Sequence, residues 1–405
     1  MPQMNDYIPI VGQSTIDDLR LLAEHLQGKR IQHVNSTALG GGVAEILNRM
    51  IPLLKELGVN THWDVIKGTE QFYNVTKKFH NALHGKQEEI SEKDFDIFLE
   101  NGERNLADMD LSADITFIHD PQPITLIKKR KDNKWIWRCH VDVSRPNPRV
   151  WKFLKKFIMQ YDASVFSAPS FSPELPIRQF LISPSIDPLS DKNRDLPKEI
   201  IAAVLEKYHI VCDKPIVTQI SRFDYLKDPV GVIAAFKQVR KYIDCQLILA
   251  GGTASDDPEG QKVLAEVQEN AHGDPDIHLL LMPHNDLEVN ALQRASTVII
   301  QKSIKEGFGL TISEALWKAK PVVAGNVGGI PLQVTHKYSG LLCHSIDGAA
   351  FAIKQLLNAP SYAKKLGENG REHVRNNFLL TRHLRDYMLL FLSLYHNEDV
   401  VYLEK

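Results

Sequence analysis

Two glutamates, Glu306 and Glu314, bracket the stretch Glu306-Gly307-Phe308-Gly309-Leu310-Thr311-Ile312-Ser313-Glu314. Gly307 and Gly309 permit an unusual backbone path, and the amides that follow open a helix, an arrangement able to cradle a diphosphate. Two carboxylates eight positions apart flank that cradle, although Glu314 near the helix start could merely favour the helix dipole and Glu306 could be a surface residue. A second segment, Ser221-Arg222-Phe223-Asp224-Tyr225-Leu226-Lys227-Asp228-Pro229, follows the apolar run PIVTQI. Arg222 and Lys227 leave the end of that run together, so two cations converge where an anion would bind, and Pro229 can start the next helix. A solvated basic turn balanced by Asp224 and Asp228 is the plain alternative. In a third segment, Asn35-Ser36-Thr37-Ala38-Leu39-Gly40-Gly41-Gly42, three consecutive glycines join a strand to a helix. Backbone N–H groups could approach a ligand closely there, although the segment is neither a G-x-G-x-x-G fingerprint nor a Walker loop and a tight turn would also explain it.

These loops need a scaffold that puts strand ends side by side. Short β-branched runs alternate with helical patterns along the whole chain, the signature of parallel sheets covered by helices on both faces. Expected strands in the first half are Ile31–Asn35, Asp114–His119, Trp135–Val141, Ala163–Ser167 and Phe180–Ser183. Between the first two, VAEILNRMIPLLKELG carries Ile46, Met50, Leu53, Leu54 and Leu57 at helical spacing and stops at Gly58. A proline-rich, aperiodic segment, SPSIDPLSDKNRDLP, reads as a linker, which sets the domains at 1–186 and 187–381. The second series of strands is Ile216–Ile220, Gln246–Ala250, His278–Met282, Val298–Gln301 and Pro321–Ala324. A last helix, Arg382 to Tyr395 within 382–405, could cap the second domain or cross back to the first. The block Glu88–Asn105 reads as a solvated helical face. The expected fold class is α/β with two doubly wound, Rossmann-like domains, and in such sheets ligands sit outside the carboxyl ends of the strands.

Composition narrows the function. At 405 residues, with 48 basic and 50 acidic side chains, the chain has no net basic field to hold nucleic acid or an anionic membrane, so any phosphate must be held locally. No apolar run approaches a membrane span, the first residues lack a signal-peptide pattern, and Cys139, Cys212, Cys245 and Cys343 form no zinc or disulfide spacing. The expected setting is the reducing cytoplasm. Two Asp-x-Asp triplets, Asp108-Met109-Asp110 and Asp274-Pro275-Asp276, raise the question of a metal. Both precede strands rather than follow them, so turn and cap chemistry accounts for them and the metal expectation is none.

SRFDYLKDP, then AGG, then EGFGLTISEALWKAKPVVAGNVGGIP, in that order, resemble the donor-binding half of the retaining GT-B glycosyltransferases of family 4. In the first half, VNSTALGGGVAEIL, FIHDPQP, WIWRCHVDVSRPN and KKFHNALHG resemble the trehalose glycosyltransferring synthases, with trehalose phosphorylases as near relatives.

The resemblance implies a GT-B enzyme whose domains face each other across a cleft and which moves glucose, with retention, from a nucleoside diphosphate glucose to free glucose. By that resemblance Glu306 touches the donor sugar and Glu314 the ribose, Arg222 and Lys227 clamp the diphosphate, and Gly307, Phe308, Gly309 and Leu310 assist. Gly41 and Gly42 match the loop that reaches the donor phosphate, and His140 in RCHVD matches an active-site histidine. His119, Asp120 and Gln122 fall where the acceptor sugar is expected, with Asn35 and Ser36 nearby. Preplaced cations and helix-end amides suit the charge that grows on a departing diphosphate. The implied enzyme needs no cofactor beyond its donor substrate; its partners are small sugars and nucleotide sugars, and the family-level expectation is a homodimer. Phosphorolysis of trehalose, another family 4 transfer, and a nucleotide-sugar sensor without turnover are the alternatives. The presence of both Glu306 and His140 speaks against the sensor.

Overall fold

In the computed structural model of the chain, the described residues are 2–38, 42–252, 258–282 and 285–396. They fall into two compact units, Met1–Ser185 with Leu380–Lys405, and Ile186–Leu379.

The first unit is built on β1 (Arg30–Asn35), β2 (Asn60–Val65), β3 (Ile115–His119), β4 (Lys134–Cys139), β5 (Ala163–Phe166) and β6 (Arg178–Leu181), all parallel, in the order β2-β1-β3-β4-β5-β6. Runs such as Ile115–His119 are buried at every position, as strands covered on both faces must be. The polar β2 was not expected from the sequence; it lies at the sheet edge, where Trp63 and Val65 are half-buried. Helices Gly42–Glu56, Glu70–Leu83 and Glu92–Asp108 supply cover, the last two capped by Thr69 and by a Ser91–Asp94 capping box. The Glu88–Asn105 block is therefore not a solvated face. Phe95 and Phe98 project from its helix into the core against Phe79, because they share one stripe at helical spacing. The helix Leu380–Ser393 belongs to this unit: it packs on the helix Gln13–Glu24, buries Leu384, Tyr387, Met388 and Phe391, and donates from Arg382 Nη2 to the carbonyls of Ser183 and Pro184.

The second unit carries β7 (Ile216–Ile220), β8 (Gln246–Gly251), β9 (Ile277–Leu281), β10 (Val298–Gln301), β11 (Val322–Gly325) and the three-residue β12 (Leu341–Cys343), parallel, in the order β12-β11-β10-β7-β8-β9. The proline-rich segment after Pro184 is not a free linker. Ile186 donates to the Phe378 carbonyl at 2.9 Å, Ser190 and Asn193 are buried, and Asn193 is held by the Asp187 carbonyl and by Lys318. Its polar groups find partners on the second unit, which a scan for apolar periodicity does not register.

Each sheet reverses its winding direction once, between β1 and β3 in the first unit and between β7 and β10 in the second. The loops leaving those four strands flank the crevices where such sheets bind ligands.

Candidate functional site

In the second unit, the loops after β7 and β10 are bonded to each other. Ile304 donates to the Leu226 carbonyl at 2.8 Å, Gln219 Nε2 donates to the Lys227 carbonyl, and Lys302 pairs with Asp228. Asp228, at φ +51°, also caps the helix Pro229–Arg240 by accepting from the Gly231 amide. This frame presents Lys227 Nζ to Glu306 Oε2 at 2.5 Å, while Ser303 Oγ donates to the same oxygen at 3.0 Å. Glu306 is buried, with an ammonium and a hydroxyl both bonded to Oε2. Arg222 differs: its side chain is 65% exposed and touches Asp224 at 3.2 Å, leaving it able to swing onto a ligand.

The Gly-Phe-Gly turn then enters the helix Leu310–Trp317, which no side chain caps. Gly309, at φ +84°, takes a conformation that L side chains avoid, and Gln333 Nε2 donates to the Phe308 carbonyl. The loop after β11 presses on the turn backbone to backbone: Gly329 donates to the Gly307 carbonyl at 3.1 Å, and a Cβ on Gly328 would lie 1.7 Å from the Glu306 carbonyl oxygen. Glu314 is buried within that helix, 3.9 Å from Lys192, and its carbonyl accepts from Lys318. Burial pulls Lys318 down to about 7 against the opposing pull of Glu314. Lys192, Ser303, Lys302 and Gly328 were not singled out from the sequence. For Gly328 a signal existed, since GNVGG follows a strand exactly as the other glycine loops do.

The Asp-x-Asp triplets make ion pairs and turn contacts. Asp274 and Asp276 pair with Arg240, and Asp276 also with Lys214 at 3.0 Å, at the start of β9. Asp108 meets Lys67, and Asp110 accepts from the Ser112 amide.

In the first unit, the interior of β1, the end of β3 and the residue after β4 bring three imidazoles into a row. His33 Nδ1 lies 3.1 Å from His119 Nε2, and His119 Nδ1 lies 3.3 Å from His140 Nε2. Burial holds all three well below the usual imidazole range, His33 at about 3, with the Arg138 guanidinium adding to the effect on His140. Asp120, at φ +65°, accepts from the His140 amide at 2.8 Å through Oδ1 and is raised to about 6 by burial. It ties the HDPQP loop to the RCHVD loop. His140 remains partly exposed, whereas His119 is buried with both ring nitrogens engaged. The expectation that the His119 ring itself meets the acceptor is thereby corrected: its two ring nitrogens meet His33 and His140 instead. Asn35 is spoken for on both sides of its amide, donating to the Thr37 carbonyl and accepting from Trp63 Nε1 at 2.7 Å, and so shapes the loop. Ser36 accepts through its carbonyl from Tyr73. Gln122 lines a small cavity with Thr76, His80 and Phe98, apart from the histidine row. Gly42 begins the helix after β1; Gly41 lies outside the described residues.

Two parallel doubly wound sheets, with an acid-flanked helix start beside a paired lysine in one of them, define a glycosyltransferase of the GT-B fold. The comparisons agree. Residues 33–173 match the trehalose synthase N-terminal domain model, and residues 202–373 match that of the group 1 glycosyl transferases. The trehalose synthase of Rubrobacter xylanophilus is 43% identical over 403 residues, covering 96% of each chain. A trehalose phosphorylase of Grifola frondosa is 30% identical over 92% of this chain and 58% of its own length. The solved sucrose-phosphate synthase of Thermosynechococcus elongatus shares the fold at TM-score 0.69 and 18% identity, covering 91% of this chain and 99% of its own. The chain belongs to the trehalose synthase family of glycosyltransferases. No helix among the described residues is long and apolar enough to cross a membrane.

Proposed function

We propose that this enzyme transfers glucose, with retention, from a nucleoside diphosphate glucose to free glucose, forming the α,α-1,1 linkage of trehalose, in the cytoplasm and without a divalent metal. The observation that supports the reading is the Lys227–Glu306 contact; in this proposal the lysine binds the diphosphate and the glutamate holds the donor sugar. The name borne by the 43% identical relative supports the product. As the glycosidic bond lengthens, negative charge moves onto the diphosphate, where Arg222, Lys227 and the amides of Gly307 to Leu310 stabilise it more than they stabilise the ground state. Glu306 accepts from sugar hydroxyls and Glu314 from the ribose. His140, held by Asp120, meets the transferred sugar, and Gly41 and Gly42 reach the donor phosphate. The acceptor enters on the face the diphosphate leaves, and a phosphate oxygen takes its proton. The Asp120 carboxyl beside His140 suits an unmodified hexose, because a sugar phosphate needs a cation and the neighbouring Arg138 guanidinium is fully buried.

The test is release of nucleoside diphosphate from UDP-, ADP- and GDP-glucose with and without free glucose. Release that requires both substrates supports the reading. Release without an acceptor, or glucose 1-phosphate formed from trehalose and phosphate in place of any transfer from a nucleotide, overturns it.

A further inference from the structure

The histidine row in the first unit has a property that follows from counting protons. Each ring is neutral at pH 7, since burial disfavours the imidazolium in all three. A neutral imidazole carries one N–H and one bare nitrogen. The ring centroids are 5.4 and 5.6 Å apart with planes inclined by 25° and 21°, so both N···N contacts run in line between nearly coplanar rings. Each contact needs one hydrogen, and only two arrangements supply it. If His119 is protonated on Nδ1, it donates to His140 Nε2 and accepts from His33 Nδ1, and His140 is left with its proton on Nδ1. If His119 is protonated on Nε2, every hydrogen bond reverses: His140 donates from Nε2, and the proton of His33 moves to its own Nε2.

The far end of the row decides between them. His33 is fully buried, packed by Phe117, Tyr387 and Phe391, and its Nε2 has no hydrogen-bond partner. The second arrangement strands an N–H there, and a buried donor without an acceptor is the rarer and costlier of the two defects. The first leaves only a bare nitrogen at that position and directs the remaining N–H to His140 Nδ1, on the partly exposed residue. The titratable and charged groups around the row are Arg138, Asp120, His383, His62 and Tyr387. Asp120 Oδ1 faces the His140 backbone amide, leaving the ring tautomer to the row.

We propose that His33 is a positioning residue: acting through His119, it fixes the tautomer of His140 so that His140 offers an Nδ1–H donor to an oxygen of the bound sugar. The sugar as recipient rests on the proposed function; the tautomer does not.

The experiment is side-chain ¹⁵N–¹H correlation spectroscopy on the full-length protein labelled with ¹⁵N-histidine, with the His140 signals assigned by their loss in His140→Gln. His140 is expected to be protonated on Nδ1 and bare on Nε2. In His33→Asn the side-chain amide places a donor where Nδ1 stood, so the tautomer persists and kcat stays close to wild type. In His33→Leu the donor is gone; His140 shifts toward the Nε2–H form and kcat falls by roughly tenfold or more, with donor KM little changed, as when an imidazole is left in the wrong tautomer. An Nε2–H form of His140 in the unmodified protein, or an unchanged tautomer in His33→Leu, overturns the inference. Because the spectrum needs no turnover, a protein showing the expected tautomer yet transferring no glucose would count against the proposed function alone.

Discussion

Lys227 Nζ and Glu306 Oε2 lie 2.5 Å apart although 79 positions separate them in the chain. They meet because β7 and β10 are neighbours at the winding reversal of the second sheet and their following loops are bonded to each other. In the proposed function the pair joins the group that offsets phosphate charge to the group that orients the sugar. Glu306→Gln is expected to lower kcat on the order of a hundredfold while donor KM changes little. Adding Lys227→Met should cost less than the sum of the single changes, since the two act as a unit. Steady-state kinetics of the four proteins check this, and additive losses would count against the coupling.

Arg222 carries its effect outside the folded core. With its side chain mostly exposed, Arg222→Ala should leave Tm unchanged and reduce kcat/KM by about 2 to 4 kcal/mol of transition-state stabilisation. Calorimetry beside kinetics separates the two quantities. A lower Tm with intact turnover would show a structural arginine.

Gly328 ought to be among the least replaceable residues in the chain. Its φ of +57° and its approach to the Glu306 carbonyl leave no room for a methyl group. Gly328→Ala is expected to destabilise the protein by about 3 kcal/mol and to weaken donor binding by displacing the Gly-Phe-Gly turn. Urea unfolding and nucleotide titration read the two effects, and a variant with native stability would contradict the packing described.

The residue cluster of the second unit was legible from sequence because its members are contiguous. Arg222 and Lys227 share one loop, Glu306 to Glu314 share one turn and helix, and the strands that position them are apolar runs. The histidine row of the first unit was legible only in part. His119, Asp120 and His140 stood out at strand ends, but a histidine inside the buried strand Arg30–Asn35 gives no sign that it will meet another 86 positions away. For the same reason the sequence assigned His119 to the sugar instead of to the row. β2 was missed because NTHWDV mixes polar residues into an edge strand, and β12 because three residues carry no period.

The buried histidines make the fold sensitive to acid. His33, His119, His140 and His383 all stay neutral below the usual imidazole range, so the unfolded chain binds more protons than the folded one once pH drops through about 6.5. Stability then falls with pH, at up to about 1.4 kcal/mol per pH unit for each fully buried ring. Asp120 works in the opposite sense, because its raised carboxyl takes up a proton in the folded state first. Unfolding at pH 5.5 should therefore show a net uptake of about two protons or more, measurable by calorimetry in buffers of different ionisation enthalpy. Zero uptake would contradict the neutral row.

Excess EDTA should leave the transfer rate nearly unchanged, since in the proposed function Arg222, Lys227 and a helix N-terminus already offset the diphosphate charge. Activity lost to the chelator and restored by magnesium or manganese would require a metal in the step.

The central claim is the bond that is made. With the nucleoside diphosphate glucose that supports release and [1-¹³C]glucose as acceptor, ¹³C NMR of the product should show the label at an anomeric carbon joined in an α,α-1,1 linkage, with glucose 6-phosphate a poor substitute for glucose. A product in which the labelled anomeric carbon stays free, or efficient transfer to glucose 6-phosphate, would contradict the account.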